Sequence, residues 1–297
     1  MSDFPGSPDS AARDRDEAES ASAFAHPPVA PDRTAAYGDH PDQVIDFYAS
    51  RDGRTGAPLV VLLHGGAWRA PYDRAHVSPL ADFLARRGFA VASVEYRRGG
   101  AEPGGPDVGP VAGRWPDTFD DVAAALDAVP VLAAQALPQA DVRRIVVTGH
   151  SAGGHLALWA AARHVLPEGS PWRLPAPPAL RGVVALAPIA HFTAAVERGV
   201  CGGAVTQLLG EEGVFDERAA QADPAALLPT GIATAIVQGV EDIVVPAAVP
   251  EAYVDAAAKS GETVGLTLLG GVGHFPLIDP TADACSVVAE EITQLAW

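Results

Sequence analysis

Ser151 stands in the pentapeptide Gly149-His150-Ser151-Ala152-Gly153, directly after the apolar run Ile145-Val146-Val147 and directly before the helix-like stretch Leu156-Ala157-Leu158-Trp159-Ala160-Ala161. Strand, sharp turn and helix are the context that holds a serine hydroxyl exposed on a strained turn. A side chain two residues to either side would strike the neighbouring strand and helix, which is why glycine is needed at 149 and 153. A serine hydroxyl is a weak nucleophile until a base takes its proton, and that base must be oriented by a third group. The chain supplies both in order. The run Ile236-Val237-Gln238-Gly239 leads into Glu241-Asp242-Ile243-Val244-Val245-Pro246, and Leu268-Leu269-Gly270-Gly271-Val272-Gly273 leads to His274. Ser151 is the candidate nucleophile, His274 the candidate base and Asp242 the candidate acid, for transfer of an acyl group through a covalent intermediate. Glu241 and Asp279 are the competing acids. Asp242 is preferred because an apolar, proline-bounded segment follows it and pins the loop, and Glu241 stays open.

The tetrahedral intermediate of acyl transfer carries an oxyanion that needs backbone donors, reached only where small residues let the chain approach. His64-Gly65-Gly66-Ala67-Trp68 follows the apolar run Leu59 to Leu63, so the N–H groups of Gly65, Gly66 or Ala67, together with that of Ala152, are the expected donors. His64 reads as a hydrogen-bonder that orders this loop, and His155 as a helix residue packed behind the serine turn. Trp68, Tyr72, Phe192 and Phe275 are expected to line an acyl or leaving-group pocket, with ordinary core packing as the competing reading.

The elements that must position these residues alternate along the chain. Strands are expected near Val44 to Tyr48, Leu59 to Leu63, Ala90 to Glu95, Ile145 to Thr148, Gly182 to Leu186, Thr234 to Gln238 and Val264 to Leu269. Helices are expected near Ala75 to Arg87, Asp117 to Val129, Ser151 to His164, Ala247 to Lys259 and Thr281 to Leu295, with Pro130 ending or kinking the second. Alternation of this kind gives an α/β fold with a mostly parallel central sheet flanked by helices. The runs Leu59 to Leu63 and Ile145 to Val147 are apolar throughout and should be central. The candidate residues then fall at the carboxyl ends of strands, where such sheets bind ligands. Between Pro188 and Pro229 no strand is evident, and the charged run Gly210-Glu211-Glu212-Gly213 lies there; a small cap over 188–230 and a plain surface excursion are both open.

The chain has 297 residues, 48% of them hydrophobic, which suits one folding unit with a large core, expected over residues 36–297. Its formal net charge of −17 would repel a phosphate backbone, so nucleic-acid binding is not expected. Residues 1–35 are rich in Ala, Pro, Ser and Asp without a basic start or apolar core, so they read as a flexible acidic tail and not a secretory signal. Cys201 and Cys285, the only cysteines, are in no metal-ligand or redox spacing. Neither metal nor cofactor is expected. With no apolar run of about 18 residues to span a membrane, a cytoplasmic protein acting on a small molecule is expected; a homo-oligomer is compatible with the sequence.

In these residues the chain resembles the α/β-hydrolase superfamily, whose triads run nucleophile, acid, histidine. Within it, His64 to Trp68 is similar to the HGGxW motif of the branch that holds kynurenine formamidase (arylformamidase) and small carboxylesterases, with Ala67 where HGGG esterases have a third glycine. Tyr37-Gly38, Gln43 and Asp46-Phe47-Tyr48 are similar to that branch's N-terminal segment, and Gly149 to Ala157 looks like its elbow. The resemblance runs from about Tyr37 to the C-terminus and is weakest between Ala190 and Thr230. It implies a metal-free serine hydrolase that cleaves an aryl formamide such as N-formylkynurenine through a formyl-enzyme. A broad small-ester carboxylesterase or an acyl-transfer enzyme is the alternative on the same triad, and a catalytically silent ligand receptor is the alternative of another class.

Overall fold

A computed structural model describes residues 10–100, 112–113, 115–210 and 213–297. Residues 1–9 of the expected tail and Glu211-Glu212 of the charged run lie outside the described residues. The strands are β1 (Arg33–Ala36), β2 (Val44–Tyr48), β3 (Ala57–Leu63), β4 (Ala90–Val94), β5 (Ala140–His150), β6 (Gly182–Leu186), β7 (Thr234–Gly239) and β8 (Gly265–Leu269). They form one sheet in the order β1-β2-β4-β3-β5-β6-β7-β8, antiparallel at the β1, β2 and β4 contacts and parallel from β4 onward. The two runs read as central, β3 and β5, are neighbours in the middle.

Both faces of that sheet are covered, and the side-chain period of two decides which residue meets which layer. Leu59, Val61, Leu63, Ile145, Val147, Val183, Ala185 and Ile236 pack on one face, with Phe119 of α3 (Asp117–Ala136) and Trp159 of α4 (Ala152–Ala161). Val60, Leu62, Val146, Val184, Leu186 and Val237 pack on the other, with Leu80 and Leu84 of α2 (Ser78–Arg86) and with Val288 and Ile292 of α9 (Asp283–Ala296). Every residue of α4 is buried. This fixes the helix that follows Ser151 rigidly beneath the site.

Several expectations change. Residues 10–24 form helix α1 (Ser10–Phe24) in place of a flexible tail. It is a polar helix with almost no apolar stripe, built from good helix formers and docked by single side chains: Glu19 Oε1 accepts the Gly273 N–H at 3.1 Å, and Ser22 Oγ donates to Asp279 Oδ2 at 2.5 Å. Pro130 does not end α3, which runs six residues further to Ala136, because Val129 and Ala133 are both buried on the sheet and hold the helix through the missing hydrogen bond. β1 was not expected at all. The stretch between Pro188 and Pro229 carries α5 (Phe192–Glu197), α6 (Ala204–Leu209) and α7 (Phe215–Ala222). Helix α8 (Ala248–Lys259) completes the set, and no helix among the described residues is long and apolar enough to cross a membrane.

Candidate active site

β5 ends at His150, and Ser151 follows with φ 56° and ψ −117°, a left-handed conformation that costs a non-glycine residue on the order of 1–3 kcal/mol and persists only where packing over-determines it. The glycines show why the turn fits. A Cβ on Gly149 would press into the Gly153 carbonyl, and one on Gly153 into the carbonyls of Leu63 and His64 at the end of β3. Ser151 N donates to Leu186 O at 2.8 Å, which ties the turn to β6.

His274 lies on the loop after β8, and its Nδ1 is 2.6 Å from Asp242 Oδ2 on the loop after β7. Asp242 is buried. Its Oδ1 accepts the N–H groups of Val244 and Val245, each at 2.8 Å, and its Oδ2 accepts from Gln238 Nε2 at 3.2 Å. The apolar segment after Asp242 thus clasps the carboxylate with its own backbone. The two loops are stitched together by Val240 N to Leu269 O at 3.0 Å and Glu241 N to Val272 O at 2.9 Å. Of the competing acids, Glu241 is exposed and faces Arg15 at 3.4 Å, and Asp279 is engaged by Ser22, His26 and Thr281. Asp242 is the carboxylate that meets His274.

The remaining serine-turn histidine has a structural task. His150 Nε2 donates to His274 O at 3.0 Å, locking the backbone of the histidine loop onto the turn. Burial first, and the adjacent His274 second, hold the His150 ring well below its usual pKa, so it stays a neutral donor.

The loop after β3 is shaped by a buried network. His64 Nδ1 lies 2.9 Å from Gly65 O and Nε2 2.8 Å from Glu95 Oε1, and the ring stacks on Tyr96 with centroids 4.3 Å apart. Tyr96 Oη donates to His64 O at 2.7 Å. The ordering role read for His64 is what this geometry provides. Gly66, Ala67 and Trp68 follow with φ of 104°, 52° and 56°, a left-handed run that turns the backbone toward Ser151. A side chain on Gly66 would overlap Tyr72. No protein acceptor among the described residues takes the N–H groups of Gly66, Ala67 or Ala152. Gly66 and Ala67 line the same cavity as Ser151, whereas Gly65 sits behind them against His150.

Glu95 anchors this network electrostatically. Burial alone would raise its carboxyl, but the His64 ring and Arg98 outweigh burial and pull it down to about 2. A folded-state value below the ordinary 4.5 means stability that is complete above pH 4.5 and is lost as the pH falls toward 2. A Glu95→Gln variant is therefore expected to trail the parent by on the order of 3 kcal/mol near neutral pH, with the gap closing across that window in denaturant titrations.

The cavity holds about 240 Å³ and is lined by Ser151 and His274 with Phe24, Arg69, Tyr72, His76, His150, Cys201, Val244, Phe275 and Ile278 among others. Tyr72 and Phe275 are where the sequence placed them. Trp68 and Phe192 are not: both are buried in the core, Trp68 edge-on to His155 at 5.1 Å and Phe192 stacked on it at 4.8 Å. Trp68 turns inward because the chain reverses at its own positive φ, and α5 carries Phe192 down onto α4. His155 lies behind the elbow, with Nε2 2.9 Å from Ala222 O. Phe24, Arg69, His76 and Cys201 were missed. Burial, and then His64, push the His76 ring down to about 4, so it is a neutral wall. Among the described residues no cluster of three His, Cys, Asp or Glu is placed to hold a metal ion.

Comparison with known proteins agrees with this architecture. The family model described as BD-FAE matches residues 45–255. A probable isoprenylcysteine alpha-carbonyl methylesterase of Oryza sativa subsp. japonica is 28% identical over 277 residues, covering 88% of this chain and 61% of the relative. Esterase LipC of Mycobacterium tuberculosis is 27% identical over 287 residues, covering 88% and 65%. The chain thus spans somewhat under two thirds of the length of these curated relatives. Among solved structures, a truncated carbohydrate esterase from gut microbiota superposes with a TM-score of 0.73 at 19% identity, covering 91% of this chain and 99% of that one. Esterase B from Lactobacillus rhamnosis gives 0.73 at 18% identity, covering 96% and 92%.

Proposed function

Since the chain belongs to the BD-FAE family, an α/β-hydrolase esterase group, we propose that it hydrolyses small carboxylic esters through an acyl-enzyme on Ser151. The observation that carries this reading is the His274 ring, bonded through Nδ1 to buried Asp242 and lining one cavity with the strained Ser151. Ser151 Oγ attacks the acyl carbonyl while His274 Nε2 takes its proton. Asp242 holds the Nδ1–H and steadies the imidazolium, and the oxyanion forms against the N–H groups of Gly66 or Ala67 and Ala152. His274 then protonates the departing alkoxide, and water activated by the same ring releases the acid. A cavity of about 240 Å³ suits a short acyl or alcohol group.

Cleavage of an aryl formamide is the narrower reading, supported by the HGGxW loop at 64–68; the esterase names of the relatives favour the ester. The purified chain, offered a short-chain aryl acetate beside N-formylkynurenine, is expected to give the higher kcat/KM on the ester. The reverse order would make it a formamidase on the same residues, and no turnover of either would remove the hydrolase reading.

A further inference from the structure

Arg69 follows the Gly66 to Trp68 turn directly and lines the cavity with Ser151. Only its Nη2 is engaged, on two neutral oxygens: the Cys201 carbonyl at 2.8 Å and Gln207 Oε1 at 3.2 Å. Its Nε is buried and has no hydrogen-bond partner, and among the described residues no carboxylate pairs with it. A buried guanidinium N–H left without an acceptor is costly, and the fork of donors on this half-buried side chain matches a planar anion. Two other half-buried arginines are paired with carboxylates: Arg74 meets Asp46 and Arg97 meets Asp121, at 2.6 and 2.7 Å. In a chain of net charge −17, an anionic substrate is repelled at long range and needs a dedicated cation to be held.

We infer that Arg69 is a specificity residue that binds a carboxylate of the substrate, so that the preferred ester carries a negative charge at the far end of its acyl or alcohol part from the scissile bond. This rests on the esterase reading above. The bland alternative is that Arg69 merely ties the oxyanion loop to residues 200–207, and that role would affect charged and neutral esters alike.

The test compares matched esters in two arms. One sets p-nitrophenyl hemisuccinate against p-nitrophenyl butyrate, which places the charge on the acyl side. The other sets 4-acetoxybenzoate against its methyl ester, which places it on the leaving group. In at least one arm the ratio of kcat/KM, anionic over neutral, is expected to fall by about 10- to 100-fold in Arg69→Gln, mainly through KM, with part of the ratio restored in Arg69→Lys. Equal losses on both esters, or a ratio that Arg69→Gln leaves in place in both arms, would overturn the carboxylate role while the esterase reading stands. If the parent protein turns over none of the four, the esterase reading falls and the Arg69 role falls with it.

Discussion

Replacing Ser151 with alanine is expected to lower kcat/KM on a short-chain aryl ester by on the order of 10⁴-fold or more, with an unfolding midpoint close to the parent's. The reasons separate cleanly. Oγ is the atom that forms and breaks the acyl bond, and among the described residues no other hydroxyl lines the cavity beside His274 except that of Tyr72. Alanine, in contrast, carries the same backbone cost at φ 56° that serine already bears, because both have a Cβ. The turn stays held by Ser151 N to Leu186 O, a backbone bond that the substitution does not touch. Activity that persists in a folded Ser151→Ala protein would place the nucleophile elsewhere.

Asp242→Asn is expected to cost on the order of 10³- to 10⁴-fold in kcat. Asp242 Oδ1 accepts from Val244 and Val245, so the carbonyl oxygen of an asparagine is fixed there and its NH₂ is aimed at His274 Nδ1. His274 must then accept on Nδ1 and carry its proton on Nε2, the nitrogen that has to take the proton of Ser151. The same NH₂ also faces Gln238 Nε2, donor against donor. Glu241→Gln, one residue earlier and exposed beside Arg15, is expected to leave turnover close to the parent value. Equal losses in the two variants, by steady-state kinetics, would deny Asp242 its distinct role.

Most of the fold was legible because buried parallel strands are apolar on both faces and helices alternate with them; β3 and β5 follow from that alone, and the glycines at 149 and 153 from the crowding of the turn between strand and helix. Ser151, Asp242 and His274 were read from a different signal, each on the turn or loop that follows a strand and in the order nucleophile, acid, histidine. What escaped was held by single contacts that leave no periodic trace. Helix α1 has no apolar stripe, and its docking depends on Glu19 reaching Gly273 and on Ser22 and His26 reaching Asp279. Phe24, the last residue of that helix, packs against Tyr72, His76 and Phe275 and so lines the cavity. Strand β1, Arg33–Ala36, is a mostly exposed edge without an apolar alternation to mark it. Trp68 and Phe192 escaped for a different reason: an aromatic side chain suits a pocket wall or a core equally, and the positive φ of Ala67 and Trp68 that decides between them is not written in residue type.

The covalent step itself can be observed. Protein mixed with a p-nitrophenyl acyl ester and quenched within the first turnover should, by peptide mass spectrometry, carry the acyl group on Ser151, with none on the Ser151→Ala variant. Release of p-nitrophenol with the acyl group on another residue, or with no acylated peptide at all under quenched conditions, would contradict a mechanism through Ser151.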